Sequence, residues 1–375
     1  MVWNTQEGRI FLPPEKRLKI RDRVHKFQNR KFSSIKQGLE ILGLFSAVLE
    51  AVPWGRAHMK DLQRYINSVW DHQKASLRRK LYVPPEIKKS LNWWLHPRNL
   101  SKGSALFPVP PLVITTDASG KGWGAHLGNL VEQGSWEKGI AHQAANSLEL
   151  EAVWRALLAF KTIVKDQNVL IHTDNVATAY YINHQGGSRS KDLGMRVKKI
   201  MCWGEKNLKS ILARHISGHS NIRADFLSRR LILPGEWSLD PETFLQICKV
   251  WGSPVIDLMA SKYNAKHQRF FSLTAGQGEE AVDALAQSWD FSLAYIFPPI
   301  PMLARVIKKV ALCSTEVILI APAWPRRSWY SSLLQLSVSP PWPLPVKENL
   351  LHQGPIFHPN PAALQLTAWR LKGML

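Results

Sequence analysis

Four carboxylates in the middle third of this 375-residue chain stand where acids could do chemistry together. Asp117 ends the apolar run VITTDAS and Asp174 ends NVLIHTDN, and both runs read as strands. In adjacent parallel strands the two carboxylates would project from the same sheet edge. Glu149 falls near the start of the intervening helical stretch, and Asp225 lies on the last one. Such a cluster would repel itself unless divalent cations neutralised it, and hard oxygen ligands select Mg²⁺ or Mn²⁺ over zinc. The chemistry this set supports is two-metal phosphoryl transfer, with two Mg²⁺ ions and Mn²⁺ able to substitute.

The surrounding pattern supplies the elements that must hold these acids. VITTDAS, then GKGWGAHLG with glycines spaced for a hairpin or bulge, then VEQGSW, predict a three-stranded meander. NSLELEAVWRALLAFKTIV sets Leu148, Val153, Ala156, Leu157 and Phe160 at helical spacing, with Asn146 or Ser147 as the cap. NVLIHTDN and LKSILARHI follow as strands, and ATAYYINHQ, SKDLGMRVKKIMCWGEKN and IRADFLSRR as helices. The predicted order is βββ, α, β, α, α, β, α.

TTDASGKGWGAHLG, NSLELEAVWRAL, LIHTDN and RHISGHSNIRADFLSRR, in that order and at those distances, resemble the type 1 ribonuclease H family, in the version fused to retrotransposon reverse transcriptases. The resemblance implies an α/β fold with a mixed five-stranded sheet and flanking helices. It implies that Asp117, Glu149, Asp174 and Asp225 are both metal ligands and catalytic residues. Glu151 is the competing helix acid; Glu149 fits the family's Asn, Glu, Ala pattern without a gap. Ser119, Asn146 and Asn175 are then expected to touch the substrate. His215 matches a mobile histidine that helps turnover, with His219 as runner-up, and an imidazole titrating near neutrality suits proton transfer to a leaving group. The implied activity is endonucleolytic hydrolysis of the RNA strand of an RNA:DNA hybrid, leaving 5′-phosphates.

Composition bounds the rest. The formal net charge is +21, which makes polyanions the default partners, nucleic acid first. No apolar run reaches the roughly 20 residues a membrane span needs, and the start MVWNTQEGRI lacks a signal-peptide profile, so the expectation is no membrane and a nuclear or cytoplasmic location. Cys202, Cys248 and Cys313 are scattered, which fits a reducing compartment. Cys202 with His215 and His219 makes half of a zinc-finger spacing, without the cysteine needed to complete it.

Changes in texture predict three regions: a basic helical segment over 1–105, a ribonuclease H-like domain over 106–232, and a second, smaller α/β domain over 233–375. GRIFLPPEKRLKI and SIKQGLEILGLFSAV resemble the thumb and connection helices that precede ribonuclease H in retrotransposon reverse transcriptases. No Tyr-x-Asp-Asp pair is present, so this chain is not expected to polymerise DNA by itself; it looks like the downstream part of a larger element polyprotein, with an upstream reverse transcriptase palm as partner, or like a gene derived from one. GEWSLDPETFLQICKVWGSPVIDLMAS, AVDALAQSWDFSLAYIFPPIP and EVILIAPAWPRRSWYSSLL resemble the region after ribonuclease H in DIRS-type retrotransposons, itself similar to phage-type N6-adenine methyltransferases. In those enzymes an Asp or Asn precedes two prolines and an aromatic ring. Here the stretch is Phe297, Pro298, Pro299, Ile300, which lacks both the acceptor and the stacking ring, so an inactive domain is expected. Two other readings stand beside the nuclease: a non-catalytic nucleic-acid-binding module, and an adenine methyltransferase. The intact set of four carboxylates favours the nuclease.

Overall fold

The computed structural model describes residues 1–71, 76–106, 110–187, 190–233 and 235–373. Contacts divide the chain into two compact units, Met1–Arg229 and Arg230–Leu375. The first unit includes the basic helical segment and the residues that follow it. Among the described residues, no helix is long and apolar enough to cross a membrane.

The first unit opens with four main helices: α1 (Pro14–Gln28), α2 (Ile35–Ser46), α3 (Gly55–Val69) and α4 (Pro85–Leu95). Prolines open α1 and α4, where a missing N–H costs nothing. Ser34 and Gln37 form a reciprocal capping box at the start of α2. Trp54, just before α3, adopts a left-handed backbone with φ 65°. That turn drives its indole into the core formed by the following domain, where Gly204 leaves the space: a Cβ there would meet the ring at 2.8 Å. Glu205 ties the same junction by accepting from Trp93 Nε1 at 2.6 Å and pairing with His58 Nε2 at 2.8 Å.

The rest of the first unit is one mixed sheet with its helices. The strands are β1 (Leu112–Ala118), β2 (Gly122–Leu127), β3 (Leu130–Ser135), β4 (Asn168–Thr173) and β5 (Ser210–His215). The main helices are α5 (Ala145–Ala159), α6 (Val176–Asn183), α7 (Lys191–Asn207) and α8 (Ile222–Arg229). Strand order is β5-β4-β1-β2-β3; β1, β2 and β3 form the antiparallel meander, while β1, β4 and β5 run parallel. The element order read from the sequence pattern is the order found. One detail differs. Neither Asn146 nor Ser147 caps α5, which starts after Ala144 without a side-chain cap. The Ser147 hydroxyl donates instead to Asp192 Oδ2 at 2.7 Å, and Asn146 Oδ1 accepts from Asn175 Nδ2 at 2.9 Å.

The second unit is also α/β. Its five-stranded sheet runs β6 (Ile256–Asp257), β7 (Leu293–Ile296), β8 (Glu316–Pro322), β10 (Leu366–Leu371), β9 (Trp342–Pro343), with β6, β7 and β8 parallel and β10 antiparallel to both neighbours. Ile318 and Ile320 enter one apolar cluster while Val317, Leu319 and Ala321 enter another. Both faces are thus covered, which explains why EVILIAP is a continuous apolar run with no alternation. Trp289 and Trp329 are buried and Trp324 packs against the same cluster.

Candidate metal centre

Asp117 and Asp174 reach one edge because β1 and β4 are parallel neighbours, with Ile114 opposite Ile171 and Thr115 opposite His172. Asp117 lies near the carboxyl end of β1, and Asp174 follows the last residue of β4. Helix α5 crosses the sheet through Leu150, Val153 and Leu157, apolar residues at helical spacing that pack into the core, and so presents its first turns to that edge. The result brings carboxylate oxygens of Asp117, Glu149 and Asp174 within 4.8 Å of one another. Glu151, two residues on, turns away and pairs with Arg155 at 3.0 Å and Arg196 at 3.5 Å.

Burial gives this cluster its character. Asp117 is 4% exposed and Glu149 7%. Loss of water pushes Glu149 up to about 9, reinforced by the charges of Asp117 and Asp174, while a backbone hydrogen bond with Ala118 acts the other way. Loss of water likewise pushes Asp117 up to about 6; the Ser228 hydrogen bond and Arg229 oppose the rise, and Asp174 and Asp225 add to it. Glu149 Oε2 is buried with no hydrogen-bond partner. A buried carboxylate oxygen left unpaired is costly, and a divalent cation is the partner that would satisfy it and quench the mutual repulsion. All-oxygen donors suit a hard divalent cation, so the three residues fit such an ion.

Asp225 does not join the compact group. Its side chain is 43% exposed and its Oδ1 accepts from Arg229 Nε at 2.7 Å. Its charge still reaches Asp117. His215 is exposed at the rim, with Nε2 3.1 Å from the backbone carbonyl of Asp174. His219 is exposed on the short turn Gly218–Ser220, and a Cβ on Gly218 would lie 3.7 Å from Asp174 Oδ2. Among the described residues, Cys202, His215 and His219 do not gather into a metal-binding group.

Of the residues expected to touch substrate, Asn146 is exposed and Asn175 is half-buried. Asn175 caps α6 by accepting from Thr178 N at 2.8 Å and donates to Asn146 at 2.9 Å. Ser119 has a structural contact: its hydroxyl donates to the Ser228 carbonyl at 2.6 Å and accepts from Lys121 N at 3.1 Å.

Two neighbours of the site are absent from the sequence expectation. Asn221 Nδ2 donates to Asp117 Oδ1 at 3.2 Å and to the Thr116 carbonyl at 3.2 Å, and Ser228 Oγ donates to Asp117 Oδ2 at 2.5 Å. The available signal was spacing: Asn221, Asp225 and Ser228 are four and three residues apart, which on a helix gives one face. That face can approach the sheet because position 124 is glycine. A Cβ there would lie 2.4 Å from Leu227 Cβ and 2.6 Å from both the Ala224 carbonyl oxygen and Ser228 N. These are helix backbone and Cβ atoms that cannot swing aside. Gly124→Ala should therefore push α8 off β2 and lower stability by about 1–3 kcal/mol, the usual cost of overpacking. Thermal denaturation checks this, and an unchanged midpoint would count against the close approach.

No protein-family model matches the chain, and no curated protein matches it in sequence. Solved structures do resemble it. LC11-RNase H1, solved in complex with an RNA/DNA hybrid, is 22% identical over 31% of this chain and 91% of that one, at a TM-score of 0.27. A ribonuclease H1 from the halophilic archaeon Halobacterium salinarum is 17% identical over 31% of this chain and 92% of its own, at 0.25. A foamy viral protease-reverse transcriptase, also solved with an RNA/DNA hybrid, is 16% identical over 54% of this chain at 0.23, and the match spans 27% of the viral protein.

Proposed function

We propose that this chain is an RNA:DNA-hybrid endoribonuclease that hydrolyses RNA phosphodiesters with two divalent cations, Mg²⁺ or Mn²⁺. The observation that carries the reading is the convergence of Asp117, Glu149 and Asp174, with the unpaired Glu149 oxygen buried among them. These three residues would hold the cations, and Asp225 would complete the set by exchanging its Arg229 partner for a cation. When bound, the cations supply water activation and charge neutralisation for in-line displacement at phosphorus.

The chain's own residues do the rest. Asn146 has an amide NH₂ with which to donate to a phosphate or 2′-hydroxyl, and Asn175 fixes its orientation by donating to its carbonyl oxygen. The turn at Ser119 borders the same edge and would meet the hybrid alongside them. His215, whose Nε2 lies 3.1 Å from the Asp174 carbonyl at the rim, would give a proton to the departing 3′-oxygen. The chain's +21 charge suits retention of phosphate backbones, and the wide, shallow minor groove that displays the 2′-hydroxyl is what separates RNA from DNA.

The same reading takes the chain as retrotransposon-derived, of DIRS type, acting in the nucleus or cytoplasm with a reverse transcriptase palm as partner. Its second unit would be a methyltransferase-like domain without catalysis. Phe297 and Ile300, where an acceptor and a stacking ring would be needed, both pack against apolar clusters. End-group analysis tests the chemistry. RNA fragments from a digested hybrid should carry 5′-phosphates and 3′-hydroxyls; 2′,3′-cyclic phosphates would mean attack by the RNA's own hydroxyl and would reject a metal-dependent water mechanism.

A further inference from the structure

We infer that Ser228 is a positioning residue for the metal centre, acting with Asn221 to turn Asp117 into a ligand with one open lone-pair site on each oxygen. The inference rests on the proposed metal site and extends it to residues outside the acidic set.

An ionised carboxylate offers about two lone-pair sites per oxygen. At Asp117 one site on each oxygen is filled from α8 or the turn before it: Asn221 Nδ2 donates to Oδ1 at 3.2 Å and Ser228 Oγ to Oδ2 at 2.5 Å. What remains is one site on each oxygen, the arrangement in which a single carboxylate can serve two cations at once. The bonds also fix the rotation of the carboxylate, which would otherwise turn freely about its last torsion.

The Ser228 hydroxyl has one hydrogen and two acceptors within reach, Asp117 Oδ2 and, at 2.9 Å, the carbonyl of Asp225 one turn back. The carboxylate is the stronger claimant when ionised, because charge-assisted bonds are about twice as strong as neutral ones. Several contacts hold Ser228 in place. Ser119 Oγ donates to its carbonyl at 2.6 Å, Gly124 admits its backbone against β2, and the side chain is sealed at 2% exposure. A buried serine within a short helix is a weaker helix former than alanine, so local propensity does not account for it. The contact with Asp117 does.

The test is Mn²⁺ binding, followed by electron paramagnetic resonance on the full chain without nucleic acid. Ser228→Ala should bind Mn²⁺ roughly 10- to 100-fold more weakly than wild type, the usual effect of losing a partner that orients a metal ligand. It should stay folded, with a metal-free thermal midpoint lowered because Asp117 Oδ2 loses its buried partner, and Ser228→Thr, which keeps a hydroxyl, should restore most of the affinity. Ser119→Ala separates the hydroxyl from the mere position of α8, since it removes the grip on the Ser228 carbonyl and leaves the Asp117 bond in place. It should bind far better than Ser228→Ala. Affinity of Ser228→Ala within twofold of wild type would overturn the inference, as would an equal loss in Ser119→Ala or no Mn²⁺ binding by wild type. Weakened Mn²⁺ binding in Ser228→Ala with no hybrid cleavage by wild type would uphold the positioning role and remove the nuclease reading instead.

Discussion

Asp174→Asn should lower hybrid cleavage by about a thousandfold or more while leaving the fold nearly untouched. The size follows from the chemistry: a cation contributing about 4 kcal/mol to the transition state is worth close to three decades of rate. Asparagine keeps the shape of the side chain and removes the charge that draws the cation. Folding should hardly register the change, because Asp174 is only half-buried and its contact with His215 runs through its backbone carbonyl. Cleavage kinetics and thermal denaturation, measured on the same preparations, check both halves. A variant that cleaves within tenfold of wild type would remove Asp174 from the metal set.

Glu149→Gln should separate activity from stability even more sharply, with cleavage lost and the metal-free protein made more stable. The sign follows from proton linkage. Burial and two neighbouring carboxylates hold Glu149 at about 9 in the folded protein, against an ordinary value of 4.5. Between those values the folded state binds the proton more tightly than the unfolded chain, so metal-free stability falls as pH rises through that window. Glutamine stays neutral throughout and escapes the loss. In a chelating buffer at pH 8 the variant should exceed wild type by an amount on the order of 2 kcal/mol, and the gap should close towards pH 4.5. Saturating Mg²⁺ should raise the wild-type midpoint and leave the variant's little changed. Equal stability of the two proteins from pH 5 to pH 9 would mean that Glu149 is better solvated than its burial implies.

How much of this was legible in sequence depended on range. Asp117 and Asp174 could be placed because each ends an apolar run, and Glu149 because α5 carries its apolar face at Leu150, Val153 and Leu157. Local periodicity is a property of the chain itself, so the order of strands and helices followed as well. Contacts across the fold left no such local mark. Asn146 and Ser147 look like caps, yet Asn175 and Asp192, remote in sequence, engage them instead. Gly124 reads as a hairpin or bulge glycine, whereas its missing Cβ is what lets α8 settle on β2. Trp54 gave no sign that it would take a left-handed backbone and enter the neighbouring core. Ser228 and Asn221 fall between the two cases: their spacing was visible, but their common partner, Asp117, is about a hundred residues away.

The most direct test of the central claim is cleavage of a labelled RNA:DNA hybrid by the wild-type chain in Mg²⁺ and in chelator, beside double-stranded RNA and double-stranded DNA. The account predicts cutting of the RNA strand of the hybrid alone, and only with the metal. A folded protein that binds the hybrid in Mg²⁺ and leaves it intact would contradict it.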